Sequence, residues 1–369
     1  MDTKKYILEK INSGPLFKHF ERDYSVFFLS SINDAHTIAN QPKYGHDGLT
    51  LTMMVYRDKI SSYYRLEQDN EVYLKNIADN IAKDKSIKDE IFNGYTEVCE
   101  KMKGLYGQID TKEHFEPAFI EELSEAINRL IPYQILIMHR ADSFVKAFEK
   151  TPEMPDEIYA IRKKYEAVFG SFETKFELLC GKIIKSRSLN MTLEDFKYLT
   201  AEDITRVIKT STRPDSLIEE RKVGIIVNYL PSVEILTGSD AKEIFDAIHQ
   251  NEEKYHPTEN ANSEVKGKTV FGTGKVTGKC RVIIDYDKIE DLEEGEILVA
   301  PSTLPKYNNV YKRAKAIITN EGGILAHASI FCREFKIPGI VGTKIGTKVF
   351  KNRDTIELDT DNGVVRIIK

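Results

Sequence analysis

A strand, a glycine pair, a histidine-led helix and a second strand follow one another between Ala316 and Thr343, and this succession constrains the chain more than any other stretch. Ala316-Ile-Ile-Thr319 reads as an apolar β-strand. Gly322-Gly323 lets the backbone turn sharply and gathers N–H groups where an anion could sit. From Leu325 to Phe335 the apolar spacing predicts a short helix with His327 in its first turn, and Gly339-Ile-Val-Gly342 is a strand again. Strand, glycine turn and helix together expose a reactive side chain at a sheet edge. They place the C-terminal part of the chain in the α/β class.

The same arrangement suits phosphate. The start of a helix carries unpaired N–H groups and partial positive charge, which favour an anion. That field disfavours an imidazolium, so it favours the neutral imidazole that a nitrogen nucleophile requires. Thr319 and the two glycines, Gly322 and Gly323, are the candidate phosphate-binding residues beside His327. Ile330 and Phe331, three and four positions on, form an apolar floor under the imidazole. Arg333 turns off that face and reads first as a structural ion pair, whereas Glu334 returns to it about two turns away. Ala326, Arg333 and Glu334 are therefore supporting positions. A histidine on an amphipathic helix can also be a plain core residue, and the glycines alone do not decide between the two.

Around this stretch, Cys280–Asp285, Glu296–Ala300, Thr355–Leu358 and Val364–Ile368 read as further strands, the last two flanking an Asp361-Asn-Gly363 turn. Lys306 to Lys315 supplies another helix. These elements define a compact α/β domain over Gly267–Lys369. Residues 251–266 are polar and contain Pro257, the chemistry of a linker. Residues 1–250 carry mostly helical periodicity. Ile87, Ile91, Tyr95, Cys99 and Met102 form one stripe, and Phe119, Leu123, Ile127 and Leu130 a second that Pro132 should break or kink. A longer stripe runs from Ile158 to Ile183. One β-hairpin is predicted, from Leu49–Tyr56 and Ile60–Tyr64.

A net charge of −5 and the lack of any dense basic cluster give no argument for nucleic acid. The charged N-terminus lacks the apolar run of a signal peptide, and no stretch approaches the ~20 apolar residues of a membrane span. Cys99, Cys180, Cys280 and Cys332 form no CxxC pair and read as reduced thiols in a cytoplasmic protein, with Cys332 filling core.

Gly322, Gly323, His327, Ile330, Arg333, Ile337, Pro338, Val341 and Gly342, with Gly272-Thr-Gly-Lys-Val-Thr-Gly278 and Gly295–Thr303 upstream, resemble the phosphohistidine swivelling domain of the PEP-utilising enzymes. Phosphoenolpyruvate synthase, pyruvate phosphate dikinase and rifampicin phosphotransferase typify that group. The resemblance covers Gly267–Lys369 and implies a β/β/α swivelling domain in which His327 is transiently phosphorylated. Two positions depart from the pattern: Ala326 stands where Ser, Thr or Cys is usual, and Cys332 stands where Ala is usual.

Family members also carry an ATP-grasp domain or a (β/α)8 barrel. No glycine-rich phosphate loop with a following lysine occurs in residues 1–250, and the residues after His327 are far too few for a barrel of about 250. The resemblance thus implies a separate ATP-grasp partner that holds ATP and Mg2+, a small-molecule acceptor, and no tightly bound cofactor on this chain. The helical half becomes an acceptor-binding or docking domain, in an order that resembles rifampicin phosphotransferase. His36, His46, His114 and His139 are candidate acceptor-site bases there, and Arg57 and Arg140 candidate anion contacts. A phosphocarrier or regulatory protein without its own acceptor site is the alternative, and a homo-oligomer is compatible with either.

Overall fold

The computed structural model describes residues 2–22, 25–31, 51–57, 60–84, 86–134, 137, 154–229, 234–255, 264–304, 307–323 and 326–368. The chain is multi-domain, α and α/β, and divides into two compact units, Met1–Glu252 and Glu253–Lys369.

The N-terminal unit is less purely helical than its periodicity predicts. The expected hairpin forms between β2 (Thr52–Arg57) and β3 (Ile60–Leu66), but as the middle of a five-stranded antiparallel sheet. β1 (Leu16–Arg22) pairs with β3, while β4 (Ile225–Asn228) and β5 (Glu234–Thr237) extend the β2 side. Strand alternation puts Met53, Val55, Tyr64, Leu66 and Ile226 on one face. There they bury against Ile7 and Ile11 of the helix Thr3–Ser13 and Ile244, Phe245 and Ile248 of the helix Gly238–Tyr255.

The helical stripes are where the spacing places them. Ile87, Ile91, Tyr95, Cys99 and Met102 are buried on the helix Ser86–Thr111, and Phe119, Leu123, Ile127 and Leu130 on the helix Pro117–Gln134. Pro132 does not break the second helix, because it falls in the last turn, where the lost N–H costs a single bond. The long stripe after residue 153 is two helices, Met154–Gly170 and Phe172–Arg187, parted at Ser171. Farther on, the helix Ala201–Thr210 starts in a Thr200–Asp203 capping box. Arg221 ties it to the next helix, donating to Asp203 Oδ2 at 2.6 Å and to the Tyr198 carbonyl at 2.8 Å.

The C-terminal unit is built on an eight-stranded mixed sheet in the order β6-β13-β12-β8-β9-β10-β11-β7. Its strands are β6 (Glu264–Lys266), β7 (Lys268–Phe271), β8 (Lys275–Val282), β9 (Ile297–Ala300), β10 (Ala316–Thr319), β11 (Gly339–Val341), β12 (Thr355–Asp359) and β13 (Val364–Ile367). β8, β9, β10 and β11 are mutually parallel, as covering both faces demands. Leu298, Ala300 and Ile317 bury on one face with Phe331 and Cys332, whereas Ile297, Val299, Ala316 and Ile318 bury on the other with Ile356 and Leu358.

The linker expectation over 251–266 needs correcting at both ends. The helix from Gly238 continues to Tyr255, and its Asn251 is locked in place. The Asn251 amide donates to the Ile11 and Gly14 carbonyls at 2.7 and 2.8 Å and accepts from Leu16 N–H at 3.0 Å. At the other end, β6 is already part of the C-terminal sheet through its pairing with β13. Gly267 lies between β6 and β7, where a Cβ would sit 2.6 Å from the Val341 carbonyl oxygen, so the position has room only for glycine. All four cysteines are free and buried, and burial pushes the thiols of Cys280 and Cys332 up to about 12. Among the described residues, no helix is long and apolar enough to cross a membrane, and no cluster of His, Cys, Asp or Glu could hold a metal ion.

Candidate functional site

Parallel strands β9, β10 and β11 end side by side, so the loops that leave their C-terminal ends meet. That is the rim where α/β sheets place their chemistry. After β10 the chain runs Asn320-Glu321-Gly322-Gly323, and it is gripped from both neighbours. Asn320 and Glu321 N–H groups donate to the Ala300 and Pro301 carbonyls at 3.1 and 3.0 Å, on the β9 side. On the β11 side, Thr343 and Lys344 N–H groups donate to the Thr319 and Asn320 carbonyls at 3.0 and 2.9 Å. The Asn320 side chain accepts from Thr347 N–H at 3.0 Å and donates to its hydroxyl at 2.6 Å.

Gly322 has φ +119°, a conformation closed to ordinary L-residues, and a Cβ there would sit 3.2 Å from Ala326 Cβ and 3.3 Å from Val341 Cβ. Ala326 N–H and the Ser329 hydroxyl both donate to the Gly323 carbonyl, at 3.0 and 2.6 Å, which fixes the turn against the helix that follows.

That helix spans His327–Phe335, starting two residues later than the sequence predicts, with Ala326 as its N-cap. Ala326 has no side chain able to cap, so among the described residues the first turn has no side-chain cap, while Ser329 N–H donates to the Ala326 carbonyl at 2.9 Å. His327 is the first helical residue and is half-buried. Its Nδ1 lies 2.6 Å from Thr303 Oγ1, on the buried loop after β9. Phe331, one turn on, faces the imidazole at 6.1 Å between centroids, and Tyr311 does so at 6.5 Å. Of the predicted floor of Ile330 and Phe331, Phe331 faces the imidazole and is joined by Tyr311, a residue the spacing could not supply, while Ile330 is half-buried on the same helix.

The remaining candidates sort by surroundings. Gly322 and Gly323 form the turn beside His327. Thr319 is fully buried, and its hydroxyl donates to the Glu321 carbonyl at 2.6 Å. The expectation that it contacts phosphate is therefore corrected: it closes the turn, because a β-strand's last side chain on the helix side points into the core. Arg333 is half-buried and Glu334 exposed at the far end of the helix. Cys332 is fully buried with its sulfur against Gly339, where a Cβ would lie 2.5 Å away, so it is core filling as expected.

In the N-terminal unit, Arg57 stacks over the Phe245 ring at 5.2 Å, and His114 lies in the exposed turn between two helices. His36, His46, His139 and Arg140 lie outside the described residues. Thr303 is the site residue that sequence reasoning passed over, although it ends the Gly295–Thr303 stretch used for the resemblance.

Residues 292–363 match the PEP-utilising enzyme mobile domain, so the C-terminal unit carries that domain. Among curated relatives, a probable phosphoenolpyruvate synthase of Archaeoglobus fulgidus is 39% identical over 118 residues, covering 31% of this chain and 16% of its own length. A rifampicin phosphotransferase of Bacillus cereus is 27% identical over 258 residues, 68% of this chain and 28% of that one. An uncharacterized phosphotransferase, YvkC of Bacillus subtilis, is 27% identical over 202 residues, 52% of this chain and 23% of its own. The chain spans less than a third of the length of each of these relatives. The B. cereus alignment is longer than the C-terminal unit, so it reaches into the N-terminal unit as well.

Proposed function

We propose that the chain is a phosphotransferase component in which Nε2 of His327 carries a phosphoryl group. The observation that carries this reading is the 2.6 Å contact between Thr303 Oγ1 and His327 Nδ1 at the uncapped start of a helix beside Gly322-Gly323. In this reading Nδ1–H donates a hydrogen bond to the Thr303 hydroxyl oxygen, and the neutral imidazole keeps its lone pair on Nε2. That lone pair attacks phosphorus in line, the bond from phosphorus to the departing phosphate oxygen breaks, and the Nδ1 proton stays hydrogen-bonded to Thr303. Helix-start N–H groups and the glycine turn offer donors to the phosphoryl oxygens. In the second half-reaction an acceptor hydroxyl loses its proton to a base and attacks phosphorus. The N–P bond breaks and the neutral imidazole returns.

The donor in this reading is ATP, with its Mg2+, on a separate ATP-grasp protein. The acceptor is a small molecule held by the N-terminal unit. Support for an acceptor role comes from the similarity to rifampicin phosphotransferase reaching into that unit. The test is intact mass spectrometry after incubation with Mg-ATP and a candidate ATP-grasp protein. One acid-labile phosphoryl group on the wild-type protein and none on His327→Ala is expected. An unmodified wild-type protein overturns the reading.

A further inference from the structure

We propose that Tyr311 is a positioning residue that sets the tautomer of His327, acting through Thr303. The proposal rests on the phosphohistidine reading for its purpose, but its geometry stands alone.

Thr303 serves His327 only if its loop is held still, because the hydroxyl must meet Nδ1 from one direction. Two tyrosines grip the backbone on either side of it. Tyr311 Oη accepts from the Leu304 N–H at 3.0 Å. Tyr286 Oη lies 3.2 Å from the Ser302 carbonyl and 2.9 Å from the Ser302 hydroxyl. Thr303 is thus bracketed at the residues before and after it. The two tyrosines are themselves joined through Tyr307, which stacks on Tyr286 at 6.1 Å and meets Tyr311 edge-on at 6.4 Å.

Tyr311 reaches both the loop and the helix. Its ring is fully buried and meets Phe331 edge-on at 5.8 Å, on the helix that His327 begins. Its hydroxyl holds the loop that carries Thr303. One rigid side chain therefore fixes the distance between the helix and the loop, and with it the hydrogen bond at Nδ1, the nitrogen that bears the proton in the phosphohistidine reading. A loop released by losing this hydroxyl lets Thr303 rotate and frees the imidazole to exchange between tautomers.

The experiment is a long-range 1H–15N spectrum of the full chain, with the His327 ring nitrogens assigned from a His327→Gln spectrum. The wild-type protein is expected to hold the Nδ1–H tautomer. Tyr311→Phe, which keeps the ring, is expected to shift the imidazole to a mixture, as Thr303→Ala does. The double variant Thr303→Ala/Tyr311→Phe should look like Thr303→Ala alone. In phosphorylation from ATP, Tyr311→Phe should lose about tenfold in rate, the scale on which orienting partners act, with the KM for the donor little changed.

A folded Tyr311→Phe protein with the wild-type tautomer overturns the proposal, as do losses that multiply in the double variant. If Tyr311→Phe does not fold, Thr303→Ala is read instead, and a wild-type tautomer there overturns it, because Tyr311 acts through Thr303. A shifted tautomer in Tyr311→Phe with no phosphorylation of the wild-type protein upholds the positioning role and removes the phosphohistidine reading.

Discussion

Thr303 Oγ1 and His327 Nδ1 meet at 2.6 Å although they leave different strands, β9 and β10. The contact gives the imidazole a direction as well as a partner. Thr303→Ala should lower the rate of His327 phosphorylation by about 10- to 100-fold, and Thr303→Ser should keep most of it because the hydroxyl remains. Phosphohistidine formation followed over time in the two variants checks this. Equal rates in Thr303→Ala and the wild-type protein would remove Thr303 from the chemistry.

Gly322→Ala should destabilise the C-terminal unit. The backbone there is at φ +119°, and the new methyl would press on Ala326 and Val341. Strain of this kind costs on the order of 1–3 kcal/mol. Thermal denaturation should show a transition lowered by several degrees, while Gly104→Ala, on an exposed helix face with nothing within 4 Å, should not lower it.

Ala326→Ser is expected to act in the opposite sense. Ala326 is a helix N-cap with extended backbone, the geometry in which a serine hydroxyl reaches the N–H groups of the first turn. The gain is about 1 kcal/mol, read as a higher melting temperature. A serine that leaves the melting temperature unchanged would show that its hydroxyl does not reach those N–H groups.

Glu296 ties β8 to the start of β9. Burial pushes its pKa up, but the hydrogen bonds and charge of Arg281, donating from Nε and Nη2 at 2.8 and 2.9 Å, outweigh that and hold it below its ordinary value. Its contribution to stability is therefore complete above about pH 4.5, the ordinary glutamate value, and lost as pH falls through the lower folded value. Melting curves between pH 7 and pH 3 should fall more steeply for the wild-type protein than for Glu296→Gln. Parallel curves would contradict the sign.

Local pattern made the C-terminal strands and the histidine helix readable, since apolar runs bounded by glycine and a 3.6-residue stripe are properties of neighbouring residues. Pairings across long separations were not readable. Ile225–Asn228 is only four residues, buried throughout, and it becomes a strand because Tyr56 and Val55 lie beside it from far upstream. Thr303 was hidden for the same reason: nothing in its own stretch separates it from any other loop threonine. Its signal lay in the register of β9 against β10, which brings the two strand ends together. Thr319 misled in the other direction, because a threonine before a glycine turn looks like a ligand until its hydroxyl is seen closing that turn.

Asn251 carries a practical consequence. Its amide serves the Leu16 N–H and the Ile11 and Gly14 carbonyls, all buried, one residue from the division between the units. Anyone cutting the protein to study its halves separately should cut after this residue. A cut before it strips three backbone groups of their shared partner, and the N-terminal half would fail through a defect at the far end of its own sequence.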